Sequence, residues 1–159
     1  MRAADSQTEK LKALRGKVAI ANAKIAYHRY LEMLETPRWQ ALAAAGAAPQ
    51  RLLWASTGTK DRAYSDVLYV ETLIGRDTVN TMPTKTLEAF KDHGVVQLTL
   101  TTEVEEARQV LASQERLGLE LNKVTDKLVV DGVASFTESF DQLLAAVESK
   151  RDEMMGEAA

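Results

Sequence analysis

The 159-residue sequence has no cysteine, two histidines and three prolines. Without cysteine the chain cannot form a disulfide, use a thiolate nucleophile or bind zinc through sulfur. His28 and His93 cannot build a histidine-rich metal centre, so we predict no metal ligands. No apolar run approaches the roughly 20 residues of a membrane span, and the polar N-terminus lacks the apolar segment of a secretion signal. These absences predict a cytoplasmic protein with no membrane partner.

An excess of positive charge is also missing. The 20 Lys and Arg residues face 23 Asp and Glu residues, which gives a net charge of -3. A general nucleic-acid binder would carry a basic excess, so we predict no nucleic-acid partner. The hydrophobic fraction of 45% is that of an ordinary globular protein, and the length suits one domain.

The order of apolar and polar segments predicts an α/β protein that is mostly helical by residue count. We expect a helical segment at residues 1–50, two βα units at 51–94 and C-terminal helices at 95–159. The first strand, Leu52–Ser56, is apolar without alternation, which is typical of a strand buried on both faces. The second is Thr78–Met82, and two strands separated by a helix are expected to pair in parallel. Two parallel strands leave two open edges, so we predict a single partial domain of something larger.

Helix signals flank these strands. A long helical pattern ends near Glu35 and weakens at Gly16, and Thr36 followed by proline predicts the start of a short helix. Helices are also predicted at about Ser65–Ile74 and Thr84–His93. Beyond them, a capping box at residues 102–105 predicts a helix to about 117, and glycine at 132 separates two further helices. The last of these carries an apolar stripe of Val133, Phe136, Phe140, Leu143, Leu144 and Val147.

The loop after the first strand is the best candidate for a binding site. Functional residues of parallel βα proteins lie at the carboxyl ends of strands. Ser56, Thr57 and Lys60 offer hydroxyls and an ammonium group, which suit an anion such as phosphate. Asn80 and Thr81 end the second strand, so they are candidates for lining the same mouth. Alternatively, Ser56, Thr57 and Lys60 belong to an ordinary turn. Asn80 and Thr81 would then cap the loop that follows them.

No pattern in the sequence indicates a catalytic residue. We find no paired carboxylates, nucleophilic triad or metal-ligand spacing, and the two histidines have ordinary helical explanations. Schiff-base chemistry would need a desolvated lysine of lowered pKa. Lys17 and Lys24 lie on an amphipathic helix, so we expect both to be solvated surface charges. Trp54 is expected in the core.

The strand-end residues also carry a family resemblance. The stretch Arg51–Val95, with its WAST-K and DTVNTMP motifs, resembles the C-terminal part of bacterial transaldolases. The upstream segment Leu14–Ala47 resembles the helical connection that precedes it in the longer transaldolases. The sequence DGVASFTESFDQLL, which ends at Leu144, continues the similarity, so the resemblance covers nearly the whole chain.

This resemblance implies a fold and an activity. Transaldolases are cytoplasmic (β/α)8-barrel enzymes of the pentose phosphate pathway that need no metal or organic cofactor. A lysine Schiff base carries a dihydroxyacetone unit between sugar phosphates. Leu52–Ser56 and Thr78–Met82 would be barrel strands seven and eight. Ser56 and Lys60 match the positions of a serine and a basic residue at the substrate phosphate.

The chain also departs from the family pattern. The strands that bear the Schiff-base lysine, the catalytic acids and a further phosphate-binding arginine are expected to precede Met1. We therefore predict no transaldolase activity for this chain alone. The expected partners are sugar phosphates in a complete barrel, the missing N-terminal half, or further copies of the chain through its open strand edges.

Two hypotheses remain open. In the first, the chain is a portion of a transaldolase, as a truncated gene product, a split subunit or a fragment. In the second, it is a non-catalytic helical interaction or structural module that retains a barrel remnant.

Overall fold

The computed structural model describes residues 2–156, and for residues 2–6 the backbone alone. Two compact units divide the chain, Met1–Leu117 and Gly118–Ala159. In the described range the elements are α1 Arg2–Lys12, α2 Val18–Leu34, α3 Pro37–Ala44, β1 Leu52–Ala55, α4 Leu68–Glu71, β2 Thr78–Thr81, α5 Thr84–His93, α6 Val104–Arg116 and α7 Leu121–Gly156.

The N-terminal helices follow the predicted signals. The helical pattern is interrupted at residues 13–17, where Gly16 adopts a φ of +74° that glycine tolerates better than other residues. Thr36 caps α3 by accepting a hydrogen bond at 3.3 Å from the backbone N–H of Trp39, and Pro37 occupies the first helical position. The predicted break and the predicted cap are both confirmed.

The two strands pair in parallel, as predicted. Leu52 lies opposite Thr78 and Ala55 lies opposite Thr81. Each strand ends one residue before its predicted end, and β1 stops where Ser56 adopts a left-handed φ of +57°. The prediction that β1 is buried on both faces is wrong. Leu53 is 52% exposed, because the two-stranded sheet has one covered face and one open face in the described part of the chain.

The core of the first unit lies between the covered sheet face and the helices. Tyr27 of α2 packs with Leu73 and Leu100, and half-buried side chains that include Leu52 and Trp54 surround them. Trp54 therefore contributes to the core, as expected. Leu100 approaches the backbone so closely that a Cβ at Gly75 would lie 2.5 Å from the Leu100 Cδ2.

Two predicted helix boundaries in this unit are wrong. The helix expected at Ser65–Ile74 is a single turn, Leu68–Glu71. After this turn, Ile74 exchanges hydrogen bonds with Thr99 and Leu100 instead of continuing the helix. The capping box at Thr102 does not form. Glu103 takes the N-cap position with a φ of +55° and makes no side-chain capping bond, while the Thr102 hydroxyl donates to the Thr99 carbonyl.

The second unit consists of one long helix. The predicted separation at Gly132 is wrong, since α7 runs uninterrupted for 36 residues. One glycine inside a helix costs only about 1 kcal/mol relative to alanine, which a long helix tolerates. The stripe on α7 is exposed, with Phe136 at 82% and Phe140 at 59%. No helix within residues 2–156 has the length and apolar character needed to cross a bilayer.

Candidate functional site

The loop after β1 begins with a pair of residues of opposite exposure. Ser56 is exposed, and its backbone has a left-handed φ of +57°. Thr57 is 5% exposed, and its hydroxyl donates a 2.7 Å hydrogen bond to the Asn80 Oδ1. The Thr57 backbone N–H donates to the Thr81 carbonyl at 3.4 Å. The structure thus brings Thr57, Asn80 and Thr81 together at the carboxyl ends of the two strands.

The next residues pack against the turn that follows β2. A Cβ added at Gly58 would lie 3.0 Å from the Thr86 Oγ1 and 3.2 Å from the Pro83 Cγ, so the loop packs tightly against these two side chains. The Thr59 hydroxyl donates to the Ser65 carbonyl at 3.1 Å. Within the described part of the chain, the backbone N–H groups of residues 58–60 donate to no protein acceptor.

Lys60 carries a positive charge in this loop. Its side chain is exposed, and no carboxylate of residues 7–156 lies within ion-pair distance of its amine. The neighbouring Asp61 carboxylate is instead held by Arg15 at 3.2 Å. Sequence reasoning missed this Arg15 contact, because the two residues are 46 positions apart. The Arg15–Asp61 ion pair holds the loop next to Lys60. The Lys60 ammonium group has no counter-ion among residues 7–156.

A histidine contact anchors the far end of the loop. The His93 Nε2 lies 2.9 Å from the Asp66 Oδ1, and its Nδ1 lies 3.2 Å from the Asp92 Oδ2. The hydrogen bond to Asp66, followed by that to Asp92, raises the pKa of His93 above its ordinary value of 6.5. The same contact with His93 lowers the pKa of Asp66 below 3.8. His93 thus links the end of α5 to the segment that precedes α4.

Lys24 departs from the sequence prediction. Its side chain is 5% exposed, whereas Lys17 on the same helix is exposed as expected. The Lys24 Nζ donates to the Thr102 carbonyl at 3.0 Å and to the Glu103 Oε2 at 3.2 Å. Lys24 therefore ties α2 to the start of α6. The sequence pattern could not show this, since its acceptors lie 78 and 79 residues away.

The chemistry that this arrangement supports is anion binding. It combines an exposed hydroxyl at Ser56, free backbone N–H groups and the unpaired ammonium of Lys60 at the carboxyl end of β1. The structure gives no hydrogen bond between Ser56 and Lys60 in its described part. Residues 7–156 contain no group of three or more His, Asp or Glu side chains placed to hold a metal ion. The class defined here is a parallel βα protein whose strand-end loop exposes a hydroxyl and an ammonium group.

Comparison with known proteins identifies the family. The sequence model of the transaldolase/fructose-6-phosphate aldolase family matches residues 1–147. A transaldolase of Parafrankia sp. is 53% identical over 153 residues, which cover 96% of this chain and 40% of that protein. Transaldolase 2 of Nostoc sp. is 50% identical over 143 residues, which cover 89% of this chain and 38% of the relative. A transaldolase of Thiobacillus denitrificans is 51% identical over 140 residues.

The chain belongs to the transaldolase/fructose-6-phosphate aldolase family. The predicted resemblance is thereby confirmed. The chain spans about 38–40% of the length of these curated relatives.

Proposed function

We propose that this chain is the C-terminal portion of a transaldolase-type (β/α)8 barrel, with β1 and β2 as its last two strands. The support is the parallel pairing of two strands joined through α4, together with family membership over residues 1–147. In a closed barrel every strand has two neighbours, whereas β1 and β2 each have one among the described residues. Their free edges would receive strands from the rest of the barrel. The chain would act in the cytoplasm as a single partial domain.

The loop at Ser56–Lys60 would bind the phosphate of a sugar phosphate. The observation that carries this proposal is the exposed Lys60 ammonium, which has no counter-ion among residues 7–156, while its neighbour Asp61 is engaged by Arg15. Lys60 would supply charge, Ser56 a hydroxyl donor, and the backbone N–H groups that follow Thr57 further donors. Asn80 and Thr81 would line the same mouth. Transfer of a dihydroxyacetone unit would need no metal or organic cofactor.

The covalent step would use an amine from outside this chain. A Schiff-base lysine must be both accessible to the ketose and held in a desolvated site. Lys60 and Lys17 are exposed to water, and the Lys24 ammonium is already engaged by Thr102 and Glu103. The remaining lysines of the chain are exposed to water as well, so no lysine here meets both conditions. The Schiff-base lysine would therefore come from the N-terminal part of a complete barrel.

The phosphate site is tested in a reconstituted barrel. This chain would be combined with the part of the Parafrankia relative that it does not match. Lys60→Ala should raise the Michaelis constant for sugar phosphates by about 10- to 150-fold, since a charged hydrogen bond contributes roughly 1.5–3 kcal/mol. Unphosphorylated dihydroxyacetone donors should be barely affected. Lys60→Arg should retain much of the function, because either cation suits a phosphate.

A matched control separates the Lys60 charge from general surface charge. Lys10 is also an exposed lysine but lies on α1 rather than after a strand, and Lys10→Ala should leave the Michaelis constant unchanged. If Lys60→Ala weakens phosphorylated and unphosphorylated donors equally, the loop is structural and the phosphate assignment is wrong.

A further inference from the structure

Lys60 and Asp61 are neighbours of opposite charge that do not pair with each other. Adjacent residues elsewhere on the chain do form such a pair, since the Arg151 guanidinium lies 2.7 Å from the Asp152 carboxylate. A carboxylate one residue away can therefore reach a cation. The separation of the Lys60 and Asp61 charges consequently depends on what holds Asp61.

Both oxygens of the Asp61 carboxylate have other donors. The Oδ2 accepts a hydrogen bond from the Arg15 guanidinium at 3.2 Å, and the Oδ1 accepts one from the Ala63 backbone N–H at 2.9 Å. The Tyr64 backbone N–H donates to the Asp61 carbonyl at 3.1 Å, so residues 61–64 form a turn. The bonds from Arg15 and Ala63 fix the carboxylate in a position where it does not contact the Lys60 ammonium.

The residue that supplies the charged bond is itself positioned by packing. Arg15 belongs to the segment at residues 13–17 that separates α1 from α2. In this segment Gly16 lies against the Tyr64 ring, because a Cβ added at Gly16 would be 3.2 Å from the Tyr64 Cε1. The segment thus meets the turn at residues 61–64 through one ion pair and one ring contact, which together place Arg15 beside Asp61.

We propose that Arg15 is a positioning residue of the phosphate site, which holds the Asp61 carboxylate and so prevents it from neutralising Lys60. A bound phosphate needs the Lys60 charge, and a carboxylate paired with Lys60 would compete with that phosphate for the same ammonium group. The Arg15 charge also offsets the repulsion between Asp61 and a nearby anion. This inference rests on the proposed phosphate role of Lys60.

Titration of the full chain with inorganic phosphate at constant ionic strength tests this role. The NMR shifts of the backbone amides at residues 56–61 report the dissociation constant. Arg15→Ala should raise that constant by about 2- to 5-fold, which is the size expected of one exposed charge. Arg15→Lys should raise it less, because it keeps the positive charge. Since Arg15 is 66% exposed, neither change should unfold the chain.

The double variant Arg15→Ala with Asp61→Asn distinguishes this role from a general structural one. The asparagine keeps an oxygen that can accept from the Ala63 N–H, but it carries no charge that could neutralise Lys60. The double variant should therefore bind phosphate about as tightly as the wild type. If Arg15 only stiffened the loop, the double variant would bind as weakly as Arg15→Ala.

Lys12→Ala is the matched control. It removes an exposed ion pair with Glu9 on α1, outside the loop, and should leave the dissociation constant unchanged. An equal effect of Lys12→Ala and Arg15→Ala would overturn the positioning role, and so would a double variant as weak as Arg15→Ala.

Lys60→Ala tests the underlying site in the same titration and should weaken phosphate binding more than Arg15→Ala. If Lys60→Ala weakens binding and Arg15→Ala does not, the positioning role is wrong while the phosphate site stands. If Lys60→Ala has no effect, or if phosphate shifts no loop amide of the wild type, the phosphate assignment is wrong and this inference fails with it.

Discussion

The Thr57 hydroxyl and the Asn80 side-chain carbonyl, 2.7 Å apart, join the ends of β1 and β2 across a separation of 23 residues. The contact fixes the first buried residue of the Ser56–Lys60 loop to the neighbouring strand. The hydrogen bond occupies the Asn80 Oδ1, so the side-chain NH2 group of Asn80 can still donate to other partners. The loop is thus fixed to β2 through Thr57, while Ser56 and Lys60 stay exposed.

Replacing Thr57 tests the stability that this contact contributes. Thr57→Val keeps the side-chain shape but removes the hydroxyl, so the Asn80 Oδ1 loses its donor. The free energy of unfolding should fall by about 1 kcal/mol, which is typical of a lost hydrogen bond. Urea unfolding should show a lower midpoint with an unchanged slope.

The control for this change is Thr81→Val. Thr81 is exposed, and its hydroxyl makes no hydrogen bond within the described residues. It should change the free energy of unfolding by less than about 0.5 kcal/mol. Equal effects of Thr57→Val and Thr81→Val would mean that the strand-end contact contributes nothing measurable.

Burial of Lys24 predicts a large truncation cost. Lys24→Ala removes a buried aliphatic stem and the ammonium bonds to Thr102 and Glu103. The free energy of unfolding should fall by at least about 2 kcal/mol, most of it from the stem and the carbonyl contact. The ion pair with Glu103 adds little, because that carboxylate is 72% exposed. Urea unfolding measures the change.

Lys17 provides the matched control on the same helix. Lys17 is exposed, so Lys17→Ala should alter the free energy of unfolding by no more than about 0.5 kcal/mol. Lys24→Met, which keeps most of the stem, should cost less than Lys24→Ala. If Lys24→Ala and Lys17→Ala have the same effect, Lys24 is the solvated surface charge that the sequence predicts.

The His93–Asp66 contact predicts a pH-dependent stability. Because folding raises the pKa of His93, its contribution is complete below the unfolded pKa near 6.5 and is lost as pH rises through the folded pKa. Because folding lowers the pKa of Asp66, that contribution is complete above 3.8 and is lost as pH falls through the folded pKa. The contact should therefore stabilise most between about pH 4 and 6.5.

Thermal unfolding of the wild type and of His93→Gln measures this effect. The difference in melting temperature should be largest between about pH 4 and 6.5 and should shrink at alkaline pH, as His93 loses its proton. Added salt should reduce it, since both side chains are exposed. In an Asp66→Asn background most of the pH dependence should disappear. A difference that is constant from acidic to alkaline pH would contradict the ion-pair account.

Local signals predicted much of the fold. Thr36 and Pro37 set the start of α3, the predicted helix Thr84–His93 matches α5, and both strands begin where predicted. These features depend on residues close in sequence, such as a cap, a proline or a β-branched run. The strand-end location of Ser56, Thr57 and Lys60 followed from the same local reading.

Features set by distant contacts were not predictable. The burial of Lys24 depends on the Thr102 carbonyl, and the start of α6 depends on Glu103 adopting a left-handed conformation. The open face of β1 reflects the absence of a covering layer within the described residues, while its apolar sequence suits a strand covered on both sides. The pattern of residues along one segment does not show which distant residues pack against that segment. The Asp66–His93 contact was missed for the same reason.

In the proposed function, the chain supplies phosphate contacts to a transaldolase barrel, and the Schiff-base lysine comes from the rest of that barrel. Borohydride reduction in the presence of fructose 6-phosphate, followed by intact-mass and peptide analysis, tests it directly. This chain alone should gain no adduct. Mixed with the unmatched part of the Parafrankia relative, the adduct should form on a lysine of that added polypeptide. A stoichiometric adduct on Lys17, Lys24, Lys60 or any other lysine of this chain alone would contradict the claim.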